Sequence, residues 1–252
     1  QAEQLIASVG IVAERAARTE LAEDLTSRAL AKCRPLLTRT DVPEHIRCLT
    51  SDHVLAVAAD INDRLIARAS QTVRPLGRVP GIEHLDAAQQ HVVQTLAGDA
   101  GLLVIEGAAG TGKTTTLAAA RAALDTQDRR LVVVTPTLKA AEAAAQQVGT
   151  DAYSAAWLIH QHGWSWDDDG HWTHTEKSRF VIDPPAVLRP GDVLLVDEAG
   201  MLDQSTARAL LTIADQADAG VAFLGDRHQL PAVGRGGVLD LAARWAKPEA
   251  HL

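Results

Sequence analysis

Residues 107–116 read GAAGTGKTTT, and Gly107, Ala108, Ala109, Gly110, Thr111, Gly112, Lys113 and Thr114 match the spacing G-x-x-x-x-G-K-[ST]. A loop of this kind between a strand and a helix turns its backbone N–H groups toward a β-phosphate, and the helix N-terminus adds partial positive charge. Lys113 is expected to reach the β- and γ-phosphates of ATP, the Thr114 hydroxyl to ligate Mg²⁺, and Thr115 to line the same cradle. Asp197 and Glu198 close the run VLLVDEAG. Adjacent carboxylates at a strand's end can divide the work, Asp197 holding the Mg²⁺ shell and Glu198 polarising the attacking water. A solvated charge pair is the bland alternative, and the four apolar residues before it argue against that. In FLGDRHQLPAVG (223–234), Gln229 follows a strand tip. A carboxamide there can hydrogen-bond the γ-phosphate or its water and report hydrolysis to the next loop. The chemistry is hydrolysis of a nucleoside triphosphate.

The elements that must hold these groups are short and apolar. GLLVIEG (101–107) reads as a strand entering the glycine-rich loop, and KTTTLAAARAAL (113–124) as the helix leaving it. RLVVVT (130–135) and LKAAEAAAQQV (138–148) form a second strand and helix, DVLLVDEAG (192–200) and STARALLTIADQA (205–217) a third, and GVAFLGD (220–226) a fourth strand. Continuous apolar strands separated by helices predict an α/β domain, a parallel sheet with helices on both faces. The piece GWSWDDDGHWTHTEKSRF (163–180) breaks the rhythm with alternating tryptophans around DDDG, which predicts a small β-hairpin insertion. Residues 1–79 carry helical periodicity, clearest from Thr50, where Thr50, Ser51 or Asp52 could cap a helix. VRPLGRVPG (73–81) reads as a linker, dividing a helical accessory region (1–79) from the nucleotide domain (80–252).

Composition agrees with that class. Hydrophobic residues make up 46% of the 252 and aromatics 3%, so the core must be built from Ala, Leu and Val. The net charge of −8 argues against indiscriminate coating of nucleic acid and leaves a local basic groove open. No apolar run approaches the roughly 20 residues of a bilayer span, and no secretory pattern opens the chain, which begins with Gln. A cytoplasmic piece of a longer protein, without membrane insertion, is expected. Cys33 and Cys48 are most simply reduced thiols. His45, Cys48 and His53 suggest a metal site but lack the paired ligands structural zinc uses.

Taken in order, these blocks resemble superfamily 1 helicases, specifically the RecD-like branch, in which GDxxQLP recurs. Leu85-Asp86-Ala87-Ala88-Gln89 resembles the element whose Gln reads the adenine edge, so the resemblance makes Gln89 the adenine contact. Thr135-Pro136-Thr137 with Lys139 is similar to the block that binds the single-strand backbone at a helix start. Ser154 to His160 resembles the block after it, with Ser154 in place of the usual Thr. RCLTSDHVLAV (47–57), GDVLLVDE (191–198) and DEAGML (197–202) look like the helicase region of conjugative relaxase-helicases of the TraA/TrwC (MobF) group. The resemblance implies a RecA-like first motor domain, ATP and Mg²⁺, single-stranded DNA, 5′-to-3′ movement and conjugation-machinery proteins as partners. In that branch a small insertion at this place can contact DNA at the fork, so Trp164, Trp166 and Trp172 could stack on bases. Trp172 is the expected base-stacking residue, although packing of two of the three onto the sheet is the competing reading, and Asp167–Asp169 disfavour phosphate at the tip. The family's His cluster and paired tyrosines do not occur here, nor does its second RecA-like domain. Loss of that domain's arginine fingers typically costs on the order of 10³–10⁵ in rate, so residues 1–252 alone are expected to hydrolyse ATP slowly and not to unwind DNA. The rivals are a RecD-like repair helicase and a module that only docks DNA or a partner protein.

Overall fold

The computed structural model describes residues 2, 6, 8, 9, 14–35, 49–71, 73–107, 110–150, 152–167, 172–174, 184–227, 236–246 and 249–252. The chain divides into two compact units, Gln1–Ala58 and Ala59–Leu252. In the smaller unit, helix α1 (Arg15–Ala31) precedes a short antiparallel pair, β1 (Arg34–Pro35) and β2 (Leu49–Thr50). Arg34 forms an ion pair with Asp52 there. Cys33 is a free, half-buried thiol, while His45 and Cys48 lie outside the described residues.

Helix α2 (Asp52–Ala69) crosses the division between the units. Ser51 begins it, its hydroxyl accepting the Val54 N–H at 3.3 Å, which is how an N-cap satisfies a donor the helix leaves free. The second half of α2 belongs to the larger unit, and the reason is Arg68. That buried guanidinium donates to Asp215 at 2.9 Å and to the carbonyls of Gly101 and Ala219 at 3.1 and 2.9 Å. A charge removed from water must be fully paired, so these bonds tie the end of α2 to the starts of two sheet strands. The unit therefore begins at Ala59, whereas composition draws a line at residue 80.

The larger unit is built on six parallel strands. They are β3 (Leu102–Glu106), β4 (Leu131–Thr135), β5 (Ala152–Ser154), β8 (Val193–Val196), β9 (Gly220–Gly225) and β10 (Glu249–His251), in the spatial order β10-β3-β9-β8-β4-β5. Helices α3 (Ala87–Leu96), α4 (Lys113–Asp125) and α5 (Leu138–Val148) supply Val93, Leu96, Leu117, Leu124 and Val148 to a core that includes Leu103, Ile105, Val133, Leu195 and Leu224. The residues between them, among them Val104, Val134, Leu194, Val196 and Phe223, are buried as well. Because successive strand residues point to opposite faces, the sheet is covered on both sides. This is the α/β arrangement that the uninterrupted apolar runs predict.

Completing the unit are α6 (Ala155–Gln161), α7 (Gln204–Gln216) and α8 (Val238–Trp245), with 3-10 turns at Pro184–Ala186 and Ala199–Met201. Strands β6 (Trp164–Trp166) and β7 (Trp172–His174) form the expected hairpin, with Trp166 directly opposite Trp172. No helix among the described residues is long and apolar enough to cross a membrane.

At the starts of β4 and β8 the strands are pinned by Asp192, only 1% exposed. Its carboxylate accepts from the Arg130 backbone N–H at 2.9 Å, from Arg130 Nε at 3.1 Å and from the Arg189 N–H at 3.0 Å. Asp192→Ala would strand these donors, and chemical denaturation is expected to show a loss of about 3 kcal/mol. A loss below about 1 kcal/mol would mean that the strand starts are held by packing alone.

Candidate functional site

The candidate site lies where β3, β9 and β8 end. Parallel pairing sets Glu106 beside Gly225 and Val196 beside Phe223, so the residues that follow each strand emerge together. After β3 the chain must turn sharply into α4, and Gly110 and Gly112 do this in the left-handed region, at φ 85° and 81°. A side chain is strained at such a φ. At Gly112 it would also collide, since a Cβ would lie 2.4 Å from Gln89 Nε2. Lys113 opens α4, its Nζ donating to the Gly107 carbonyl at 3.1 Å, which uses one of three ammonium donors. The Thr114 hydroxyl meets Gln147 of α5 at 3.3 Å, and Thr115 is exposed on the same turn. Ala108 and Ala109 lie outside the described residues.

Gln89 reaches the loop, but its amide is engaged. A capping box joins it to Asp86, with Gln89 Oε1 accepting the Asp86 N–H at 3.2 Å, and its Nε2 donates to the Thr111 carbonyl at 3.2 Å. The residue expected to read adenine thus braces the phosphate loop in this structure.

Asp197 continues the ladder beyond β8, its N–H donating to the Val134 carbonyl at 2.9 Å. Its carboxylate accepts the Glu198 N–H at 2.8 Å. Burial raises the Asp197 pKa above the ordinary carboxylate value, while that N–H and the Lys113 charge pull the other way. Glu198 is exposed and left-handed at φ 55°, an uncommon conformation for a residue with a side chain. Arg227, just after β9, forms an ion pair with Glu106 at the base of the loop, and nothing in the spacing of those two residues announces it. Gln229 lies outside the described residues.

These groups fit a magnesium-bound nucleoside triphosphate. Among the described residues a Cβ at Gly110 would meet nothing within 4 Å. Thr114 and Asp197 offer hard oxygen donors, and Mg²⁺ uses one or two such ligands with phosphate and water. Among the described residues there is no group of three or more His, Cys, Asp and Glu for an all-protein cage. Two cavities, of about 660 and 520 Å³, lie near the strand starts and include none of these residues.

The expected DNA contacts divide. Thr137 caps α5 by accepting the Ala140 N–H at 3.2 Å and is exposed together with Leu138 and Lys139, while Pro136 is half-buried. Thr135 needs correcting as a contact: it is 1% exposed, and its hydroxyl donates to the Thr137 carbonyl, shaping the turn. Ser154 caps α6 through the Trp157 N–H at 3.2 Å and is half-buried. Trp172 also needs correcting. It is 3% exposed, with its indole N–H donating to Thr206 at 3.2 Å, whereas Trp166, its ring tilted 33° against it at a centroid distance of 4.3 Å, is 50% exposed. Alternation along the strands cannot find this difference, because Trp164, Trp166 and Trp172 share one face of the hairpin.

The raised Asp197 pKa has a measurable consequence. The native state holds that proton more tightly than the unfolded chain. The stability it contributes is full below the ordinary carboxylate pKa and is lost as pH rises through the raised one. Asp197→Asn imitates the protonated form and keeps an acceptor for the Glu198 N–H. It is expected to raise the Tm of the nucleotide-free protein at neutral pH, with the advantage shrinking in acid. An unchanged or lower Tm at neutral pH would show that burial is not the dominant cause.

Comparison with known proteins agrees with this geometry. A family model described as an AAA domain matches residues 84–252. The chain is similar to conjugal transfer protein TraA of Rhizobium radiobacter, 27% identical over 154 residues covering 61% of this chain and 12% of that protein. It is also similar to RecBCD enzyme subunit RecD of Mycolicibacterium smegmatis, 29% identical over 191 residues covering 67% of this chain and 33% of that one. The chain therefore spans a minor part of either relative's length. Among solved structures, one of Pif1 helicases, concerned with DNA unwinding at forked duplexes, aligns with a TM-score of 0.42 at 19% identity over 66% of this chain and 39% of that one. An arterivirus nonstructural protein 10 helicase with DNA aligns at 0.35 and 20% identity, over 65% and 37%. The chain belongs to the AAA-domain family over residues 84–252, and its P-loop domain resembles the motors of RecD-like superfamily 1 helicases.

Proposed function

We propose that residues 80–252 form an ATP-hydrolysing motor that acts on single-stranded DNA, preceded by the helical region 1–79 and carrying 163–180 as a small hairpin domain. The observation that carries the reading is the meeting, where β3, β9 and β8 end, of a lysine-bearing phosphate loop with the half-buried carboxylate of Asp197. In this reading the N–H groups of 110–114 and Lys113 hold the β- and γ-phosphates, with Gln89 beside the base. Thr114 and Asp197 hold Mg²⁺, which would neutralise charge on the phosphates. Glu198 polarises the water that attacks the γ-phosphorus, the water's proton passes to that carboxylate, and the γ-phosphorus bond to the bridging oxygen breaks to release ADP and phosphate. Gln229 is assigned to sensing the γ-phosphate on sequence grounds. Single-stranded DNA would lie over the exposed start of α5, at Thr137 and Lys139, and reach Trp166 rather than Trp172.

Conjugation in the cytoplasm, with conjugation-machinery proteins as partners, is the setting we favour, supported by the likeness to TraA. A recombination or repair helicase is the second reading, supported by the likeness to RecD. A His cluster with paired tyrosines encoded ahead of Gln1 would support the first and its absence the second.

Lys113→Ala is expected to lower ATP hydrolysis by on the order of 10²-fold, since it removes charge-matched phosphate binding. Equal rates in the two proteins would favour a module that docks without catalysis. Single-stranded DNA is expected to quench the tryptophan fluorescence, and Trp166→Ala to remove most of that quenching together with about 1–3 kcal/mol of binding. Undiminished binding and quenching in Trp166→Ala would remove the hairpin from the DNA path.

A further inference from the structure

We infer that Gly225 is a positioning residue: by having no side chain, it seats the turn that aims Glu198 at the phosphate loop. The inference rests on reading the site as an ATPase and adds a part to it. Gly225 ends β9 and touches both sides of the site. Its carbonyl accepts the N–H of Gly107, the first residue of the loop, at 3.2 Å. On its other side, a Cβ at Gly225 would lie 3.3 Å from the backbone nitrogens of both Ala199 and Gly200 and 3.0 Å from Leu239 Cδ2.

Conformation is not what requires glycine at this position. Among the described residues the positive-φ glycines are Gly81, Gly110, Gly112, Gly149, Gly163, Gly191 and Gly237, and Gly225 is not one of them. Alanine could adopt its backbone without strain, so the side chain's absence matters only for space. The neighbours differ in what they can yield. Leu239 presents the end of a flexible side chain on α8, while Ala199 and Gly200 present main chain. That main chain is the 3-10 turn Ala199–Met201, and the residue before it is Glu198, held left-handed at φ 55°. Such a conformation is unfavourable for a residue with a side chain and persists only where the surroundings impose it. The turn also leans on the chain after β9, since a Cβ at Gly200 would come 3.4 Å from the Asp226 carbonyl. A methyl group at 225 pushes the turn away and moves the Glu198 carboxylate, while the Gly107–Gly225 hydrogen bond can remain. The loop should keep its grip on nucleotide as the water loses its orientation.

The test is single-turnover hydrolysis of ATP by the 252-residue chain, with nucleotide affinity read by a fluorescent ATP analogue. Gly225→Ala is expected to slow hydrolysis on the order of 10- to 100-fold, the scale of a sub-ångström misplacement of a reacting group. Affinity should stay within about 3-fold. Adding Leu239→Ala should not restore the rate, and combining Gly225→Ala with Glu198→Gln should be no slower than Glu198→Gln alone, because the two changes act through one carboxylate. Recovery on adding Leu239→Ala, additive losses, a wild-type rate in Gly225→Ala, or loss of its fold by circular dichroism would each overturn the inference. If hydrolysis by the unmodified chain does not depend on Lys113, the ATPase reading fails instead.

Discussion

Everything at the candidate site depends on the parallel hydrogen-bond ladder that aligns β3, β9 and β8. A one-residue slip in that register would turn every strand side chain to the opposite face, and both faces are buried here. The register is therefore enforced by the core rather than by the site. Glu106 pairs with Gly225, and the Gly107 N–H then donates to the Gly225 carbonyl. The ladder thus runs one step past the strand and into the phosphate loop. The Asp197 N–H does the same with Val134 on the far side of β8. Gly107 and Asp197 are thus the first residues beyond the pairing, held by its last hydrogen bonds.

Around this frame the chain places strain where chemistry would need it. The loop turns on left-handed glycines, at no steric penalty. Glu198 adopts the same region with a full side chain and is exposed. Asp197 is held in surroundings that disfavour its charge, so it is a carboxylate that gains from meeting a cation. Away from the site, Arg68 and Asp192 are buried and hydrogen-bonded. The contrast separates a structural ion pair from a group awaiting a partner.

The hairpin shows how packing reassigns a side chain. Trp172 and Trp166 face each other across two short strands, yet only the former reaches α7, where Ser205 and Thr206 take its backbone and indole N–H groups. Its burial leaves Trp166 as the outer face of an aromatic pair.

The sequence alone determined the alternation of apolar strands and helices, the phosphate loop with its lysine, the carboxylate pair at a strand's end and the position of the hairpin. Each is written in local pattern, because a strand buried on both faces, a left-handed turn and a cap demand particular residues at fixed spacings. Tertiary structure decided what depends on distant neighbours. It set the start of the larger unit at Ala59, through Arg68 reaching Gly101 and Ala219. It turned Gln89 onto Thr111, buried Thr135 and Trp172, and brought a bare glycine at 225 beneath the turn after Glu198. Nothing in the spacing of those residues carries that information, because burial and close approach arise only when segments far apart in the chain occupy the same space.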